Sequence, residues 1–352
     1  MAYWRDGFDW RSWEAKLNGF PQFTTEIDGQ RLHFLHITSR DAKATPLVLL
    51  HGWPSSFVEF LHVIEPLTNP VAHGGRAEDD FHLVIPSLPR FTFSGPTGET
   101  GWDAGRMARA VAMLMAALGY DRYGVQGGDW GGLVAAYLGQ FDSNHVIGIH
   151  LNAAIFGFLP SGEVTDDDLA TLTQNERTRF ERRNRFTADG MGYFQIQSTR
   201  PQTVGAGLSD SPVGQLAWIG EKYETWSHKD DPAAPSPIDR DLMLLQAMLY
   251  WFTNTSASSA RIYYESLHCG VYPTLIEVPT GVAVFAEDAA IRRYGEHMYN
   301  IVHWSEFNRG GHFPALEAPD LLVDDVRAFF AKVHEADAGQ ADGNRPLACS
   351  LP

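Results

Sequence analysis

The sequence is poor in cysteine, carries fewer basic than acidic residues, and has no long apolar run. Its two cysteines, Cys269 and Cys349, can build neither a disulfide framework nor a metal site of familiar spacing. Its 27 basic and 43 acidic residues give a formal net charge of −16, which disfavours nucleic acid and anionic membranes as partners. No stretch approaches the roughly 18 apolar residues of a membrane span, and the first residues lack a signal-peptide core. We therefore expect a soluble, cytoplasmic protein.

Residues 123–137 combine an apolar run, one carboxylate and five glycines, four of them around the carboxylate. The run over 123–126 predicts a buried strand, and residues 133–138 predict the start of a helix. Asp129 lies between them, after Gly127 and Gly128 and before Gly131 and Gly132. Such a sharp turn pushes its apex residue toward positive φ and requires small neighbours. This pattern is typical of a nucleophile elbow with aspartate in place of serine. The alternative is a glycine-rich turn in which Asp129 caps the following helix.

The order of strand-like and helical patterns predicts an α/β protein. Their alternation before residue 155 favours a mostly parallel sheet with helices on both faces. From about 156 to 270 helical patterns dominate, notably over 167–188, 214–226 and 239–251, which indicates an inserted helical cap. We divide the chain into an N-terminal segment packed on the core, two parts of the core around the cap, and a flexible tail after the last helix over 321–333. The respective ranges are 1–45, 46–155, 271–335 and 336–352.

Functional side chains are expected beyond the carboxyl ends of the predicted parallel strands. Asp288, with Glu287 beside it, follows the strand-like run over 282–285, and His312 lies in a glycine-rich loop near the end of the core. The order nucleophile, acid, histidine is that of α/β-hydrolases. We predict that Asp129 is the nucleophile, that His312 is the base and that Asp288 fixes its tautomer, with Glu287 as the competing acid. His51 and His150 are interpreted as structural.

Together these motifs resemble an epoxide hydrolase of the α/β-hydrolase fold, specifically a soluble, bacterial-like member of the microsomal-type branch. The resemblance reaches about residue 335. The matching stretches are 4–29, His51-Gly-Trp-Pro54, Gly127-Gly-Asp-Trp-Gly131, 207–214, 278–288 and 310–319. The membrane-anchoring helix of animal members is missing, which implies a soluble hydrolase.

The resemblance implies further site residues. Tyr193 and Tyr263 match the two cap tyrosines that assist opening of the epoxide ring, with Tyr264 as an alternative to Tyr263. The backbone N–H groups of Trp53 and Trp130 would form the oxyanion hole. Aromatic residues are expected to line an apolar pocket, namely Trp53, Trp130, Phe156, Phe194, Trp218, Trp251 and Phe313.

One loop departs from the family pattern. The family commonly has a Pro-Gly-x-Gly-x-Ser-Gly-Pro loop, and here Arg90 and Thr92 replace its two inner glycines within residues 89–96. We expect these side chains to lie near the mouth of the site and to affect substrate choice more than the chemical step.

The chemistry explains why an aspartate is expected at the elbow. A carboxylate that attacks an epoxide carbon forms an alkyl ester, which water can hydrolyse to a vicinal diol. A serine would instead form an ether, which has no carbonyl for water to attack. No metal or cofactor is required. A haloalkane-type dehalogenase with the same nucleophile, or an inactive binding protein of the same fold, is the alternative. We expect a small, apolar or aromatic epoxide as substrate, in detoxification or biosynthesis, and leave a homodimer open.

Overall fold

The computed structural model describes residues 1–154, 156–160 and 165–343, which are built around an eight-stranded sheet. The sheet has the strand order β1-β2-β4-β3-β5-β6-β7-β8. The pairs β1–β2 and β2–β4 are antiparallel, and all remaining pairs are parallel. The strands are β1 Gln22–Ile27, β2 Gln30–Ile37, β3 Thr45–Leu50, β4 Phe81–Pro86, β5 Tyr123–Gly128, β6 Val146–Asn152, β7 Ile276–Val284 and β8 Tyr299–Glu306. The predicted α/β class and mostly parallel sheet are confirmed.

Helices precede, follow and interrupt the sheet. They are α1 Ala2–Asp6, α2 Trp10–Asn18, α3 Ile64–Thr68, α4 Ala104–Ala117, α5 Trp130–Phe141, α6 Asp166–Thr171, α7 Gln174–Arg185, α8 Gly192–Thr199, α9 Pro201–Asp210, α10 Pro212–Thr225, α11 Arg240–Thr253, α12 Ser256–His268, α13 Arg292–Gly295, α14 Pro314–Glu317 and α15 Pro319–Gly343. Short 3₁₀ turns span Phe57–Phe60, Pro70–His73, Ala77–Asp79 and Thr92–Ser94, and a π turn spans Phe186–Gly190. Among the described helices, none has both the length and the apolar character needed to cross a membrane.

Two sequence patterns explain how the edge and one face of the sheet form. The hairpin between β1 and β2 turns at Asp28 and Gly29, whose φ values of 53° and 69° fit a two-residue turn of the primed type. On one face, α15 packs closely because a glycine lies beneath its aromatic residues. A Cβ on Gly124 would lie 2.4 Å from the ring of Phe330. Small residues in the strands thus let large ones in the helix fill the space.

The helices α6 to α12 all lie between β6 and β7 in the sequence, where the helical cap is predicted. One predicted helix, over 167–188, is divided into α6 and α7. The division occurs at Thr173, whose hydroxyl accepts a hydrogen bond from the backbone N–H of Glu176, while the Glu176 carboxylate accepts one from the N–H of Thr173. This reciprocal cap starts a new helix.

The last helix is longer than predicted. The sequence predicts a helix over 321–333 and a flexible tail from 336, but α15 continues to Gly343, so the first part of the predicted tail is helical. Ala336 and Ala338 favour helix, and Asp337 pairs with Arg122 at 2.8 Å. Residues 344–352 of the predicted tail lie outside the described residues.

A buried polar cluster joins α15 to the sheet. The Asp325 carboxylate accepts hydrogen bonds from His150 Nε2 at 2.9 Å and His303 Nε2 at 2.8 Å, and it also contacts Ser305. Lys332 Nζ contacts His303 Nδ1 at 2.9 Å. Because a lysine ammonium can only donate, Nδ1 of His303 accepts and its Nε2 carries the proton. Because its ring bonds to Asp325 within this buried cluster, His150 has a structural role, as expected.

Candidate active site

Asp129 occupies the turn between β5 and α5 with a φ of 54°, which is costly for residues other than glycine. A Cβ on Gly127 would lie 2.5 Å from the backbone oxygen of Gly131, and a Cβ on Gly131 would lie 2.0 Å from that of Leu50. At Gly132 the nearest atom would be 3.6 Å away, so ordinary contact would result. The elbow thus requires glycine at the two closer positions. Asp129 is the N-cap residue of α5, but its side chain makes no capping hydrogen bond to the helix, so the carboxylate is not engaged as a helix cap.

The Asp129 carboxylate is held on one side and open on the other. The backbone N–H of Trp53 donates to its Oδ1 at 2.9 Å, and Nε2 of His312 lies 3.5 Å from its Oδ2. The loop after β3 approaches so closely that a Cβ on Gly52 would lie 2.4 Å from Oδ1. Trp130 is the first residue of α5, where a backbone N–H has no acceptor within the helix. Both predicted oxyanion-hole residues therefore flank the carboxylate.

The loop of His312 is shaped by one glycine and one partly buried carboxylate, that of Glu317. Gly310 has a φ of 80°, in the region that favours glycine. The backbone N–H of His312 donates to the carbonyl of Trp226 at 3.0 Å, and that of Phe313 donates to Oε1 of Glu317 at 3.0 Å. The ring of Trp226 packs against the imidazole with centroids 4.8 Å apart. The cap thereby helps to fix the histidine loop.

The protonation of His312 depends on the carboxylates around it. Burial lowers the pKa of His312, but its contact with Asp129 and the charges of Asp129, Glu59 and Asp288 outweigh that effect and raise the pKa. The carboxyl of Asp288 follows β7, accepts from the Ala289 N–H at 3.1 Å, and has an Oδ2 atom that is buried without a partner. Burial raises the pKa of Asp288 to about 6 against the opposing charge of His312. Among the described residues no hydrogen bond joins Asp288 to the imidazole, so the structure brings the two near without linking them.

The two competing side chains are engaged elsewhere. Glu287 pairs with Nε of Arg182 at 3.2 Å and with Nδ1 of His228 at 2.9 Å, and 36% of its side chain is exposed. The ring of Tyr264 is 42% exposed and stacks on His268 with centroids 4.2 Å apart. Glu287 is thus paired with side chains other than His312, and Tyr264 packs on His268 near the surface, which favours Asp288 and Tyr263 for the predicted roles.

The cap brings Tyr193 and Tyr263 together above the elbow. Tyr193 lies on α8, Tyr263 on α12, and their ring centroids are 5.8 Å apart. Trp53 stacks on Tyr193 at 5.4 Å, and Trp130 packs edge-on against Tyr263 at 4.8 Å. Burial and then the charge of Asp129 raise the pKa of Tyr193, and burial also raises that of Tyr263, whose hydroxyl has no hydrogen-bond partner among the described residues. Both hydroxyls therefore keep their protons and are donors.

Comparison with known proteins gives the family. A model described as epoxide hydrolase N terminus matches residues 1–60, and one described as alpha/beta hydrolase fold matches residues 45–192. A relative from Stigmatella aurantiaca is 44% identical over 339 residues, which cover 95% of this chain and 75% of the relative. Epoxide hydrolase 1 of Sus scrofa is 35% identical over 95% of this chain and 79% of its own. The structure of Aspergillus niger epoxide hydrolase has a TM-score of 0.82 and 37% identity, over 94% of this chain and 83% of that chain. The chain belongs to the epoxide hydrolases of the α/β-hydrolase fold.

The buried histidine of the His-Gly-Trp-Pro motif has a structural role in this epoxide hydrolase. The backbone N–H of Leu88 donates to Nε2 of His51 at 3.1 Å, and Nδ1 of His51 lies 3.0 Å from the carbonyl oxygen of Gly52. Burial lowers the pKa of His51 to about 4, so the ring is neutral. It joins two loops of the epoxide hydrolase by bonding their backbone, as the sequence predicts.

Several predicted aromatic residues surround the site of this epoxide hydrolase. The ring of Phe156 lies 5.8 Å from that of Trp130, the ring of Phe194 lies 5.3 Å from that of Tyr263, and Phe313 packs edge-on against the imidazole at 4.9 Å. These contacts enclose the elbow in apolar surface. A substrate of an epoxide hydrolase would therefore leave water when it reaches the nucleophile.

Two other predicted aromatic residues lie farther from the chemistry. Trp218 donates from Nε1 to Gln197 at 2.9 Å, and its ring lies 5.7 Å from the ammonium of Lys222, which is itself 4.5 Å from the ring of Tyr193. Trp251 has no aromatic partner in the part of the chain that the structure describes, and it lines neither cavity beside Asp129. The structure does not bring Trp251 to the site.

The two side chains that replace family glycines in the loop over 89–96 are buried in the protein. Arg90 is fully buried, with Nε donating to the carbonyl of Trp102 at 3.0 Å and Nη2 to Oε1 of Glu265 on α12 at 2.8 Å. Thr92 is also buried, and its hydroxyl donates to Ser87 at 3.2 Å. The expectation that these two side chains shape the entrance is wrong, because a carboxylate on the cap draws the arginine inward.

The backbone of this loop retains the conformation that suits the family glycines. Arg90 has a φ of 84° and Thr92 a φ of 37°, both in the left-handed region. Such angles cost residues other than glycine about 1–2 kcal/mol each. The ion pair with Glu265 offsets part of that cost and links the loop to the helix of Tyr263.

Two small cavities adjoin Asp129. In each, the volume that the centre of a water-sized sphere can occupy is about 10 Å³. The first is mainly polar and is lined by Gly52, Trp53, Ser55, Glu59, Gly128, Asp129, Asn152, His312 and Phe313. The second is mainly apolar and is lined by Asp129, Gly132, Leu151, Ala153, Ala154, Phe156, Phe158 and Tyr299. The nucleophile thus lies between a polar space and an apolar one.

Sequence reasoning missed two residues of this site. Trp226 packs on Tyr193 at 5.2 Å as well as on the imidazole. The spacing of Trp218, Lys222 and Trp226 at i, i+4 and i+8 indicates one helix face and was the available signal. Glu59 lines the polar cavity and is only 7% exposed. In the sequence it stands in an apolar segment, which is the only hint of its burial.

Proposed function

We propose that this epoxide hydrolase works through a covalent alkyl ester on Asp129. The observation that supports it most is the unequal environment of the two carboxylate oxygens. Oδ1 already accepts the Trp53 N–H, so Oδ2 is the oxygen available to attack an epoxide carbon. Attack forms the Oδ2–carbon bond and breaks the ring carbon–oxygen bond. The carbonyl of the ester then keeps its place in the oxyanion hole.

Ring opening needs a donor for the developing alkoxide, and we assign that role to Tyr193 and Tyr263. Their raised pKa values mean that both hydroxyls are protonated in the resting site. An alkoxide is a stronger base than a phenolate, so a tyrosine hydroxyl can bind it by a strong hydrogen bond and supply its proton. The unpartnered hydroxyl of Tyr263 has the capacity for such a new acceptor.

Hydrolysis of the ester is assigned to His312 and a water molecule. In the free enzyme the charge of Asp129 helps to raise the pKa of His312. Ester formation removes that charge, so the imidazole becomes a neutral base at the stage that needs one. Water then attacks Cγ, and the negative charge on Oδ1 is stabilised by the N–H groups of Trp53 and Trp130, each contributing about 3 kcal/mol. Asp288 would hold the imidazole once a hydrogen bond between them forms.

A single turnover in ¹⁸O-water with excess enzyme tests the ester. We expect an unlabelled diol and label in Asp129, because the oxygen that leaves with the diol comes from the carboxylate. In His312→Ala the ester should form and persist, and mass spectrometry of the intact protein should show the mass of the epoxide added on the peptide of Asp129. A labelled diol in the first turnover, with no adduct in the variant, would mean that water attacks the epoxide directly.

We further propose that the substrate is a small epoxide with an apolar or aromatic substituent. The apolar cavity beside Asp129, lined partly by Phe156 and Phe158, supports this choice. Helices α6 to α12 are proposed to act as the cap that carries the tyrosines. A cytoplasmic location and a homodimer stay predictions from the sequence.

A further inference from the structure

Glu59 is a buried carboxyl group that the mechanism above does not use. It lies in the 3₁₀ turn Phe57–Phe60, directly after the loop that supplies the Trp53 N–H. It is 7% exposed and lines the same polar cavity as Asp129 and His312. Carboxyl groups are seldom buried without a partner or a role. Its position beside the nucleophile and the base therefore requires an explanation.

The electrostatics couple Glu59 to both reacting groups. The pKa of Glu59 is raised to about 7, mainly by burial, with the charges of Asp129 and Glu317 acting in the same direction and Ser55 and His312 opposing them. Among the charges that raise the pKa of His312, that of Glu59 ranks ahead of Asp288. Loss of the Asp129 charge on ester formation removes one of the influences that keep Glu59 protonated. The neutral imidazole at that stage also removes an opposing influence, the charge of His312. A carboxyl oxygen of Glu59 can accept a hydrogen bond from water in either protonation state.

The polar cavity has the size that one water molecule needs. Its volume of about 10 Å³ for the centre of a water-sized sphere matches the roughly 10–15 Å³ required. A bound water also needs two to four polar partners. The side chains of Glu59, His312 and Ser55 meet that requirement from different elements. A water that donates one proton to His312 and the other to Glu59 would keep a lone pair free for Cγ of the ester.

We propose that Glu59 is a further catalytic carboxylate, which binds and orients the hydrolytic water in the cavity between Asp129 and His312. This proposal rests on the proposed ester mechanism. As the water oxygen bonds to Cγ, one O–H bond breaks and its proton passes to Nε2 of His312. The other O–H remains hydrogen-bonded to Glu59. The tetrahedral intermediate then breaks its bond to the substrate oxygen, which takes the proton from the imidazolium. Asp129, left as a carboxylic acid, gives its proton to the tyrosinate that ring opening produced, so that both groups are restored.

Glu59→Gln separates the two halves of the reaction, because it keeps the shape of the side chain but removes its charge. Styrene oxide serves as the probe, with rapid-quench mass spectrometry following ester formation and ester decay in one turnover. We expect ester formation within about twofold of the unaltered enzyme and ester decay slowed by roughly tenfold to a hundredfold. Glu65→Gln is the control, since that side chain is 73% exposed and only contacts His73. It should change neither rate.

The outcomes are distinguishable when His312→Ala is measured in parallel. Unchanged ester decay in Glu59→Gln, or equal slowing of both steps, would overturn the role of Glu59 while an adduct in His312→Ala still upheld the ester. Absence of an adduct in His312→Ala would remove the ester mechanism and the role of Glu59 with it. If circular dichroism shows that Glu59→Gln does not fold, the Glu59→Asp variant tests the proposal instead. Its withdrawn carboxylate should slow ester decay selectively, and an unchanged decay rate would overturn the proposal.

Discussion

The buried ion pair between Arg90 and Glu265 predicts a measurable loss of stability. Arg90 has no exposed surface, only 14% of the Glu265 side chain is exposed, and Nη2 lies 2.8 Å from Oε1. Glu265→Gln keeps the shape of the side chain but leaves the guanidinium charge buried without a carboxylate. Breaking a buried pair in this way costs about 3–5 kcal/mol. Since glutamine retains an acceptor oxygen, we expect the free energy of unfolding to fall by about 3 kcal/mol.

Variants of Arg90 separate the contribution of the ion pair to stability from the cost of the backbone conformation. After Arg90→Ala or Arg90→Gly, Glu265 still accepts from the Gly101 N–H at 2.7 Å and lies 3.8 Å from Arg261, so its charge is not left alone. Both variants should therefore be less damaging than Glu265→Gln. With a φ of 84° at this position, the glycine variant should be more stable than the alanine variant by about 1 kcal/mol.

Urea unfolding of the single variants and of Arg90→Ala/Glu265→Gln gives the coupling energy directly. Glu265 follows Tyr263 by two residues on α12, so single-turnover ring opening should slow along with the loss of stability. Glu296→Gln is the control, because its pair with Arg292 is half-exposed and should contribute less than about 1 kcal/mol. If the two changes lower the free energy of unfolding additively, or if Glu265→Gln is as stable as the unaltered protein, the ion pair does not stabilise the fold.

Three further predictions concern the site and the buried cluster. Tyr193→Phe and Tyr263→Phe should each slow ester formation, and the double variant should nearly abolish it, as rapid-quench kinetics would show; full activity in the double variant would refute the assignment. Asp288→Asn should lower turnover far more than Glu287→Gln, because the charge of Asp288 acts on His312 whereas Glu287 is paired with Arg182 and His228. The reverse order would place the acid one residue earlier. Burial raises the pKa of Asp325, but hydrogen bonds from its two histidine partners outweigh this and lower it below the usual 3.8. The ionised Asp325 therefore stabilises the fold above about pH 4 and loses that effect as the pH falls further. Asp325→Asn should lower the free energy of unfolding at pH 7 and reduce its fall toward acid pH, as urea unfolding at a series of pH values would show. An unchanged pH series would exclude this role.

Local patterns predict the elbow well because its constraints are local. Gly127 and Gly131, on either side of Asp129, are required by contacts within the turn and with the end of β3. The His312 loop is likewise marked by Gly310, whose positive φ is realised. The hairpin at Asp28 and Gly29 follows the same logic. In each case the residue types in the sequence indicate the local backbone conformation.

Distant contacts explain what the sequence does not reveal. The direction of Arg90 is decided by Glu265, far along the chain in the cap, and no local pattern links the two. Glu59 resembles an ordinary helix charge until the fold encloses it beside His312. The missing hydrogen bond between Asp288 and His312 is likewise a matter of tertiary placement. Side-chain partners across elements are therefore the part that sequence patterns leave open.

The two tyrosines lie on cap helices, whereas Asp129 and His312 lie on loops of the sheet. The first half of the proposed reaction thus depends on both parts of the molecule, and the second half depends mainly on the sheet. Mutations in the cap can therefore accumulate and alter which epoxides are opened without rebuilding the machinery that regenerates the enzyme. Apart from the two tyrosines and Trp226, which contacts the histidine loop, residues 156–270 are thus a segment in which evolution or directed selection can change substrate range while the groups that hydrolyse the ester stay in place.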